Sequence, residues 1–244
     1  MKINHDVERV IQFRKEFRSS SIPGWYNGIA HVVFNFSALF LGLLFFLSKL
    51  HDLTLAELSV IPLTLIMGNF AVYVIHRFPL HKNYPVIGHH TYRIHSKLHH
   101  RFYTDQYSVV DELDDLYLLF FPPWTILLFL FVHCPMVYFL ASEFISSNSV
   151  YLHLAMSTVY FILYEVFHFV SHLPRGHWIL NIRHFARMRE HHTLHHNPKY
   201  MHQYNFNVVF PLFDSIFKTN YIQINTQERE QEISAHEACK LESV

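Results

Sequence analysis

Four long stretches of the sequence contain no Asp, Glu, Lys or Arg. They lie within residues 19–48, 58–75, 116–142 and 144–164. An α-helix of 18 residues is about 27 Å long, which is close to the hydrocarbon thickness of a lipid bilayer. The pattern therefore predicts four transmembrane helices, at about residues 28–49, 56–78, 116–141 and 148–172.

The composition favours a membrane protein over a water-soluble protein that buries the four apolar helices. Charged residues make up 16% of the 244 residues and hydrophobic residues 51%, whereas a soluble domain carries about 25% charged residues. Four buried helices in so short a chain would leave too little polar surface. We therefore predict an all-α integral membrane protein. The formal net charge of zero provides no electrostatic basis for binding nucleic acid.

Prolines interrupt the third predicted helix. Pro122 and Pro123 lie near its start, and Pro135 lies inside it. Proline lacks a backbone N–H, and its ring clashes with the preceding turn of a helix. The sequence therefore predicts either a broken third helix or a distorted hairpin of the third and fourth helices.

Positive charge is concentrated on one side of the predicted topology. Residues 1–28, 77–115 and 175–244 carry 18 of the 19 Lys and Arg residues, and the link after the first helix carries only Lys49. The positive-inside rule places the charged side, with both termini, in the cytoplasm. A bacterial inner membrane and the endoplasmic reticulum would show the same bias. We divide the chain into a cytoplasmic N-terminal segment at 1–27, a membrane-embedded domain at 28–222 and a polar tail at 223–244 that we expect to be mobile.

Histidine is the most unusual component of the sequence. Of 22 histidines, seven lie in residues 76–100 and nine in residues 168–202. Both clusters fall on the predicted cytoplasmic side, so we expect a histidine-rich helical cap there. They form four motifs, which begin at His76, His95, Glu165 and His191.

The first two motifs follow the second predicted helix. The first pairs His76 with His81, and the proline between them frees the two imidazoles from regular helical spacing. In the second motif, His95 and His99 are four residues apart, so they share a helix face and could bind one ion. His100 points about 100° away and could reach a second ion or the other side of the first.

The third motif combines a carboxylate with two histidines at the end of the fourth predicted helix. His168 and His172 are again four residues apart, and Glu165 is the only charged residue in 144–174. A charge near the centre of a membrane costs about 2.5–3.5 kcal/mol on the insertion scale, so we predict a partner for Glu165. We favour a carboxylate that accepts a hydrogen bond from a liganding imidazole. The alternative is that Glu165 binds the metal itself.

The fourth motif is the densest. His191 and His195 are four residues apart, as are His192 and His196, so imidazoles share two adjacent helix faces. Imidazole suits iron, zinc, copper and nickel, and about ten imidazoles are too many for one ion. The motifs therefore predict a site for two metal ions. Four further histidines could belong to the site or to its surroundings, namely His89, His90, His184 and His191.

Motifs of several other enzyme classes are absent from the sequence. It contains no Gly-x-Ser-x-Gly, no glycine-rich phosphate loop, no Cys-x-x-Cys and no His-Glu-x-x-His. These absences argue against an α/β-hydrolase, a P-loop nucleotide enzyme and a zincin protease.

The four motifs, in this order, resemble those of the fatty acid hydroxylase/sterol desaturase superfamily. Their spacings are His-x4-His, His-x3-His-His, Glu-x2-His-x3-His and His-x2-His-His, and residues 99–104 and 205–219 are also similar to short members of the group. The resemblance extends from about residue 25 to residue 220. Two details differ. The second motif has three residues before its His-His pair where relatives often have two, and Lys218 stands where many have glycine.

The resemblance implies an integral membrane enzyme with a histidine-bound pair of iron ions. Such enzymes use O₂ and two external electrons to hydroxylate or desaturate a lipid. The hydroxylase-like catalytic domain would then be residues 28–222. The residues that the resemblance marks as metal ligands are His76, His81, His95, His99, His100, His168, His172, His192, His195 and His196.

The substrate and the electron donor stay open at this point. The substrate could be a fatty acyl chain, a sterol, a sphingoid base or a lipid headgroup. The sequence has no flavin, haem or iron–sulfur motif, and the resemblance implies a separate cytochrome b5-like or ferredoxin-like donor. Three alternatives also stay open: a metal transporter, a metal-binding relative without activity, and a b-type haem cytochrome with ligands among His31, His133 and His153.

Overall fold

The structure is a computed structural model that describes residues 5–85 and 88–221. The described residues form helices joined by irregular connections, with no strand among them. This confirms the predicted all-α class. The polar tail predicted at 223–244 lies outside the described residues.

Four helices are long and apolar enough to cross a membrane, as predicted, and the chain is an integral membrane protein. Large apolar side chains such as Leu41, Phe131 and Phe139 are exposed on these helices, where they would meet lipid. Three of the helices match the predicted bounds within two residues. The four spans are α2 (Gly28–Leu47), α3 (Leu55–Leu80), α5 (Pro123–Ala141) and α6 (Ser147–Ser171).

The remaining helices lie on one side of these spans. Short links join α2 to α3 and α5 to α6, so the long connections all fall on the opposite side, which we call the cap. Besides the spans, the structure has α1 (His5–Ser21), α4 (residues 88–102), α7 (Arg183–His195) and α8 (Leu212–Ile216). Shorter helical segments occur at Leu113–Asp115, Leu116–Leu119 and Trp178–Asn181.

The third span begins later than predicted, because the expected helix at 116–141 is broken. Its first segment ends at Phe120, which has extended backbone, and α5 starts at Pro123. Pro122 and Pro123 supply no N–H, and the residue before a proline avoids the helical conformation. Pro135 does not break α5, because a π-helical turn at Phe129–His133 precedes it.

The N-terminal helix α1 packs against the cap. Phe17 and Phe102 are both buried, with their ring centres 5.8 Å apart. Arg14 on the same helix is 1% exposed. The sequence predicted only an N-terminal segment here. Its helix is supported by acidic residues in the first turn, a basic residue in the last turn, and the pairing of Phe13 with Phe17 on one face.

Candidate metal centre

The ten histidines that the sequence motifs mark lie together inside the cap, against the ends of α3 and α6. Each is at most 8% exposed. Nine of them form two groups whose ligand nitrogens lie within 4.8 Å of one another. The tenth, His168, borders the second group, with its Nε2 3.3 Å from His99 Nε2. We call the groups group 1 (His76, His81, His95, His100 and His195) and group 2 (His99, His172, His192 and His196).

The two groups are in contact. The rings of His95 and His99 stack with centres 5.1 Å apart, and those of His100 and His196 stack at 4.2 Å. Each of these pairs joins one member of group 1 to one member of group 2. The arrangement therefore consists of two adjacent groups, each of which could hold an ion.

The division of α4 between the groups differs from the expected pairing of His95 with His99. A π-helical turn runs up to His99, and the N–H of His100 bonds to the His95 carbonyl. In such a turn a backbone hydrogen bond joins residues five apart, and His95 and His100 both belong to group 1. A second π-helical turn begins at His76 and places His76 and His81, also five apart, in group 1.

The histidines whose role the sequence left open lie outside both groups. His191 Nε2 is 3.1 Å from a carboxylate oxygen of Asp214. His184 Nε2 is 2.9 Å from a backbone carbonyl. His89 and His90 are exposed. Each of the four therefore has surroundings distinct from those of the clustered imidazoles.

Backbone carbonyls fix the tautomers of the clustered imidazoles. Nδ1 of His195 donates to the Tyr204 carbonyl at 2.9 Å, and Nδ1 of His99 donates to the Leu118 carbonyl at 3.0 Å. A carbonyl only accepts, so the proton is on Nδ1 and the Nε2 atom presents a lone pair. Other clustered histidines that bond backbone carbonyls are His76, His168, His172 and His196.

The Nε2 atoms face one another at the spacing of ligands around one ion. Those of His81 and His195 are 2.9 Å apart. The Ser96 hydroxyl donates to a carbonyl and so accepts from His81 Nδ1, which leaves lone pairs on both facing nitrogens. Nitrogens bound to one metal at about 2.1 Å and at right angles lie about 3.0 Å apart. Because facing lone pairs repel, a shared cation fits this geometry.

Burial keeps these imidazoles in the form that binds metal. Loss of water lowers the pKa of His95, His192 and His195 well below its usual value, and it lowers the pKa of His99 to about 3. The imidazoles are therefore neutral, as metal binding requires. A donor set made only of imidazole suits iron, zinc, copper and nickel, so the residues fit the iron that the resemblance implies.

Group 2 is oriented by segment 103–109, which Arg14 holds in place. Two carbonyls of this segment accept hydrogen bonds from His172 and His196. The Arg14 guanidinium donates to two other carbonyls of the segment, at 2.8 and 3.2 Å, and to the Phe102 carbonyl at 2.7 Å. A side chain on α1 thus sets the backbone to which two group 2 imidazoles are anchored.

Group 1 is oriented by segment 204–207, which Asp214 holds in place. Two carbonyls of this segment accept hydrogen bonds from His76 and His195. The fully buried Asp214 carboxylate accepts from two N–H groups of the segment, at 2.9 and 2.7 Å, and from the Thr219 hydroxyl at 2.7 Å. The histidine motifs of the sequence include neither Asp214 nor Arg14.

Glu165 meets an unwound stretch of backbone, whereas we expected it to bond an imidazole. Its Oε1 accepts from the Phe121 N–H at 3.2 Å, and the Asn35 side chain lies beside the carboxyl group. Phe121 lies where the chain is broken before Pro122, so no helix supplies a partner for this N–H. Neighbouring side chains satisfy such groups in membrane proteins, and Glu165 does so here.

This contact predicts different outcomes for two substitutions. Glu165→Gln is expected to keep the metal content and the fold, because an amide can accept from Phe121 and donate to Asn35. Glu165 Oε2 and Asn35 Oδ1 are both buried without a partner among the described residues. Glu165→Leu leaves the Phe121 N–H unsatisfied and lowers stability by about 1–3 kcal/mol. Thermal unfolding and metal analysis check both variants, and metal loss in Glu165→Gln would instead indicate a liganding carboxylate.

Two cavities connect the membrane-spanning helices with the histidine groups. The larger has a volume of about 420 Å³, lies between α3, α5 and α6, and reaches His76. The smaller has a volume of about 140 Å³ and borders both groups, through His95 and His99. The residues that line both cavities are Leu80, Phe121 and Tyr164.

Comparison with known proteins agrees with the motifs. The chain matches the family model described as fatty acid hydroxylase over residues 61–219, more than half of its length. Comparisons with curated proteins and with solved structures gave no match. The matched region contains all ten clustered histidines. The chain belongs to the fatty acid hydroxylase family.

Proposed function

We propose that the protein is a di-iron oxygenase that hydroxylates or desaturates the hydrocarbon chain of a membrane lipid, with O₂ as co-substrate. The observation that carries the proposal is the meeting of two all-histidine groups with a cavity between membrane helices. Iron bound in the groups would supply the oxidising chemistry that side chains lack. The ligands would be group 1, group 2 and His168, within a catalytic domain at residues 28–222.

The protein's own contribution is to bind the chain, to direct it and to exclude water. The larger cavity would hold the hydrocarbon, and the smaller cavity would receive the reacting carbon between the two groups. Leu80, Phe121 and Tyr164 line the passage from one to the other. Their large side chains keep bulk water from the reacting carbon, which suppresses side reactions.

The two electrons would come from a separate protein that docks on the cap. We place the cap in the cytoplasm, because the segments on that side carry 18 of the 19 Lys and Arg residues. Arg93, Lys97 and Arg101 are exposed on α4, next to the histidine groups. An acidic cytochrome b5-like or ferredoxin-like donor would complement this basic surface.

The haem-cytochrome alternative finds no support in the placement of its candidate ligands. His31 Nε2 is 2.9 Å from the Phe121 carbonyl, and His153 Nδ1 is 3.0 Å from Thr64 Oγ1. His31 is thereby engaged with the broken backbone before α5. The described clustered histidines all lie at the cap, so they do not form the path across the membrane that a metal transporter needs.

Lipid analysis tests the proposal. The wild-type protein, the double variant His99→Ala/His195→Ala and the control His89→Ala are expressed in a host of defined lipid composition. The double variant removes one ligand from each group, and His89 is an exposed histidine outside both. In wild type and control, one lipid class is expected to gain about 16 mass units on hydroxylation, or to lose about 2 on desaturation. The double variant is expected to show neither change.

Metal analysis of the purified proteins completes the test. The wild type is expected to hold two irons per chain and the double variant fewer. Unchanged lipids together with a wild-type protein that binds no metal would refute the proposal. Unchanged lipids with two irons present call for the assay to be repeated with added electron donor, and a second negative result would also refute it.

A further inference from the structure

The larger cavity carries polar residues at its end remote from the histidine groups. Its lining there includes Thr64, His133, His153 and Ser157. All four lie within the membrane-spanning helices α3, α5 and α6. Polar and ionisable side chains inside a membrane are costly and commonly mark a functional site.

Much of the hydrogen-bonding capacity at this polar end is unused. Thr64 Oγ1 and His153 Nδ1 are 3.0 Å apart, which engages one nitrogen of His153. Among the described residues, no other hydrogen bond to His153 is present, and the exposed His133 ring stacks on Phe129 with ring centres 5.5 Å apart. Both imidazoles line the same cavity. Polar side chains that face a cavity inside the membrane commonly mark a binding site, and the half-buried His153 imidazole therefore indicates a polar ligand.

The cavity extends along α3 and α6 from the polar end to the histidine groups. Thr64 and Ala71 line it from one face of α3, and His76 lines its end nearest the histidine groups. Thr64 and His76 are 12 residues apart, or about 18 Å along a helix. On α6, the distance from His153 to Tyr164 is similar, at about 17 Å. The two ends of the cavity are thus about 18 Å apart.

The cavity is restricted between its two ends. At Gly68, α3 approaches α6 so closely that a Cβ atom would lie 2.7 Å from the Tyr160 ring. Both residues line the cavity. A restricted cross-section favours an extended hydrocarbon chain over a bulkier ligand.

We propose that Thr64, His133 and His153 bind an uncharged oxygen function, a hydroxyl or carbonyl, of a linear lipid substrate. The inference rests on the proposed function and narrows it to a chain lipid whose reacting carbon lies far from this oxygen. Carbon–carbon bonds of about 1.5 Å advance about 1.25 Å per carbon in an extended chain, so 18 Å corresponds to about 14 carbons. A charged group is disfavoured there by the surrounding lipid.

Binding of two probes to the purified, metal-loaded protein tests the inference. Hexadecanol and hexadecane have the same chain length and differ by one oxygen. The wild type is expected to bind hexadecanol about tenfold more tightly than His153→Phe does, because one buried hydrogen bond is lost. Hexadecane is expected to bind both proteins equally. The affinity of each probe is compared between the wild type and a variant. Partition of that probe into detergent is the same for both proteins and therefore cancels.

Two further variants control for general effects on the fold. Thr64→Val is expected to weaken hexadecanol binding as His153→Phe does. Thr158→Val serves as the matched control, because the Thr158 hydroxyl bonds the Leu154 carbonyl of its own helix and does not line the cavity. It is expected to bind both probes as the wild type does. Iron content is expected to be the same in all four proteins.

The outcomes separate this inference from the proposed function. If hexadecanol binding is unchanged in both His153→Phe and Thr64→Val, the binding site is wrong, whatever lipid product the protein makes. If the wild type binds hexadecanol more tightly than His153→Phe and Thr64→Val do, but no lipid is oxidised in the expression assay, the binding site stands and the oxygenase proposal fails. In an active protein, the wild type is expected to oxidise one position about 14 carbons from the oxygen, and His153→Phe several positions.

Discussion

Replacement of Asp214 with alanine is expected to remove the metal from group 1 while group 2 keeps its ion. The Asp214 carboxylate accepts four hydrogen bonds, two of them from segment 204–207. That segment carries the carbonyls that anchor His76 and His195. Without the carboxylate, the segment loses its position and the two imidazoles lose their orientation.

The expected effects of Asp214→Ala are large. Removing one partner from a buried charged network costs about 3–5 kcal/mol of stability. Misplacing the groups that orient metal ligands lowers metal affinity about 10–100-fold. If the protein binds two irons as proposed, iron per chain after dialysis is expected to fall from two to one, and the proposed lipid oxidation is expected to be lost. Glu143→Ala, which removes an exposed carboxylate beyond the other end of the spans, is the matched control and should change neither quantity.

Asp214→Asn is a second variant that tests the same role if Asp214→Ala fails to fold. The asparagine side chain keeps the shape and one accepting oxygen, so an intermediate metal affinity is expected. If Asp214→Asn folds and retains two irons with wild-type affinity, Asp214 does not position group 1. Equal loss of both irons would show that the two groups do not depend on separate segments.

Arg14→Met is expected to have the complementary effect, with loss of the metal from group 2. Arg14 is 1% exposed, and its guanidinium bonds three carbonyls and the Asp111 carboxylate. Methionine has a similar length but no donor, so segment 103–109 is released. His172 and His196, whose Nδ1 atoms are anchored there, then lose their orientation.

Iron content and thermal unfolding measure the effect of Arg14→Met. One iron per chain is expected, with about 10–100-fold weaker binding of the second, and Asp111 is left without its buried partner. Arg14→Lys keeps the charge but cannot reach the same set of carbonyls, so partial rescue of stability without rescue of the iron is expected. The matched control is Arg9→Met on the same helix, where the side chain is 82% exposed. Retention of two tightly bound irons in Arg14→Met would contradict the role.

The sequence predicted the membrane spans well because their physical signal is local. Uninterrupted apolar runs determine which segments enter a bilayer, and three of four spans match within two residues. The third differed because the prolines at 122 and 123 delayed the start of α5. The histidine motifs were equally visible, because a dense set of imidazoles without acidic partners has few explanations other than metal.

The division of the ligands could not be predicted from spacing alone. His99 and His100 are neighbours in the sequence but belong to different groups, because a π-helical turn shifts the face on which each lies. A turn that is one residue shorter would pair His95 with His99 instead of with His100. Spacing allowed His95 and His99 to share one ion, whereas His95 lies in group 1 and His99 in group 2.

The roles of Arg14, Asp214 and Glu165 depend on contacts between remote parts of the chain. Each bonds backbone groups, which every residue possesses, so no sequence pattern identifies the partner. Arg14 lies outside the region that matches the family model. In the sequence, Arg14 counted only as one of the Lys and Arg residues from which the membrane orientation was predicted. For Glu165, burial correctly predicted a partner, but the broken backbone at Phe121 supplied it instead of an imidazole.

Each histidine group combines residues that are far apart in the chain. Group 1 contains His76 and His195, and group 2 contains His99 and His196. During synthesis the first members of each group leave the ribosome long before the last. Neither group is complete until α6 has entered the membrane and α7 has docked on the cap. Complete coordination of an ion in either group therefore requires a chain that extends through α7, and a nascent chain that stalls before residue 192 lacks ligands of both groups.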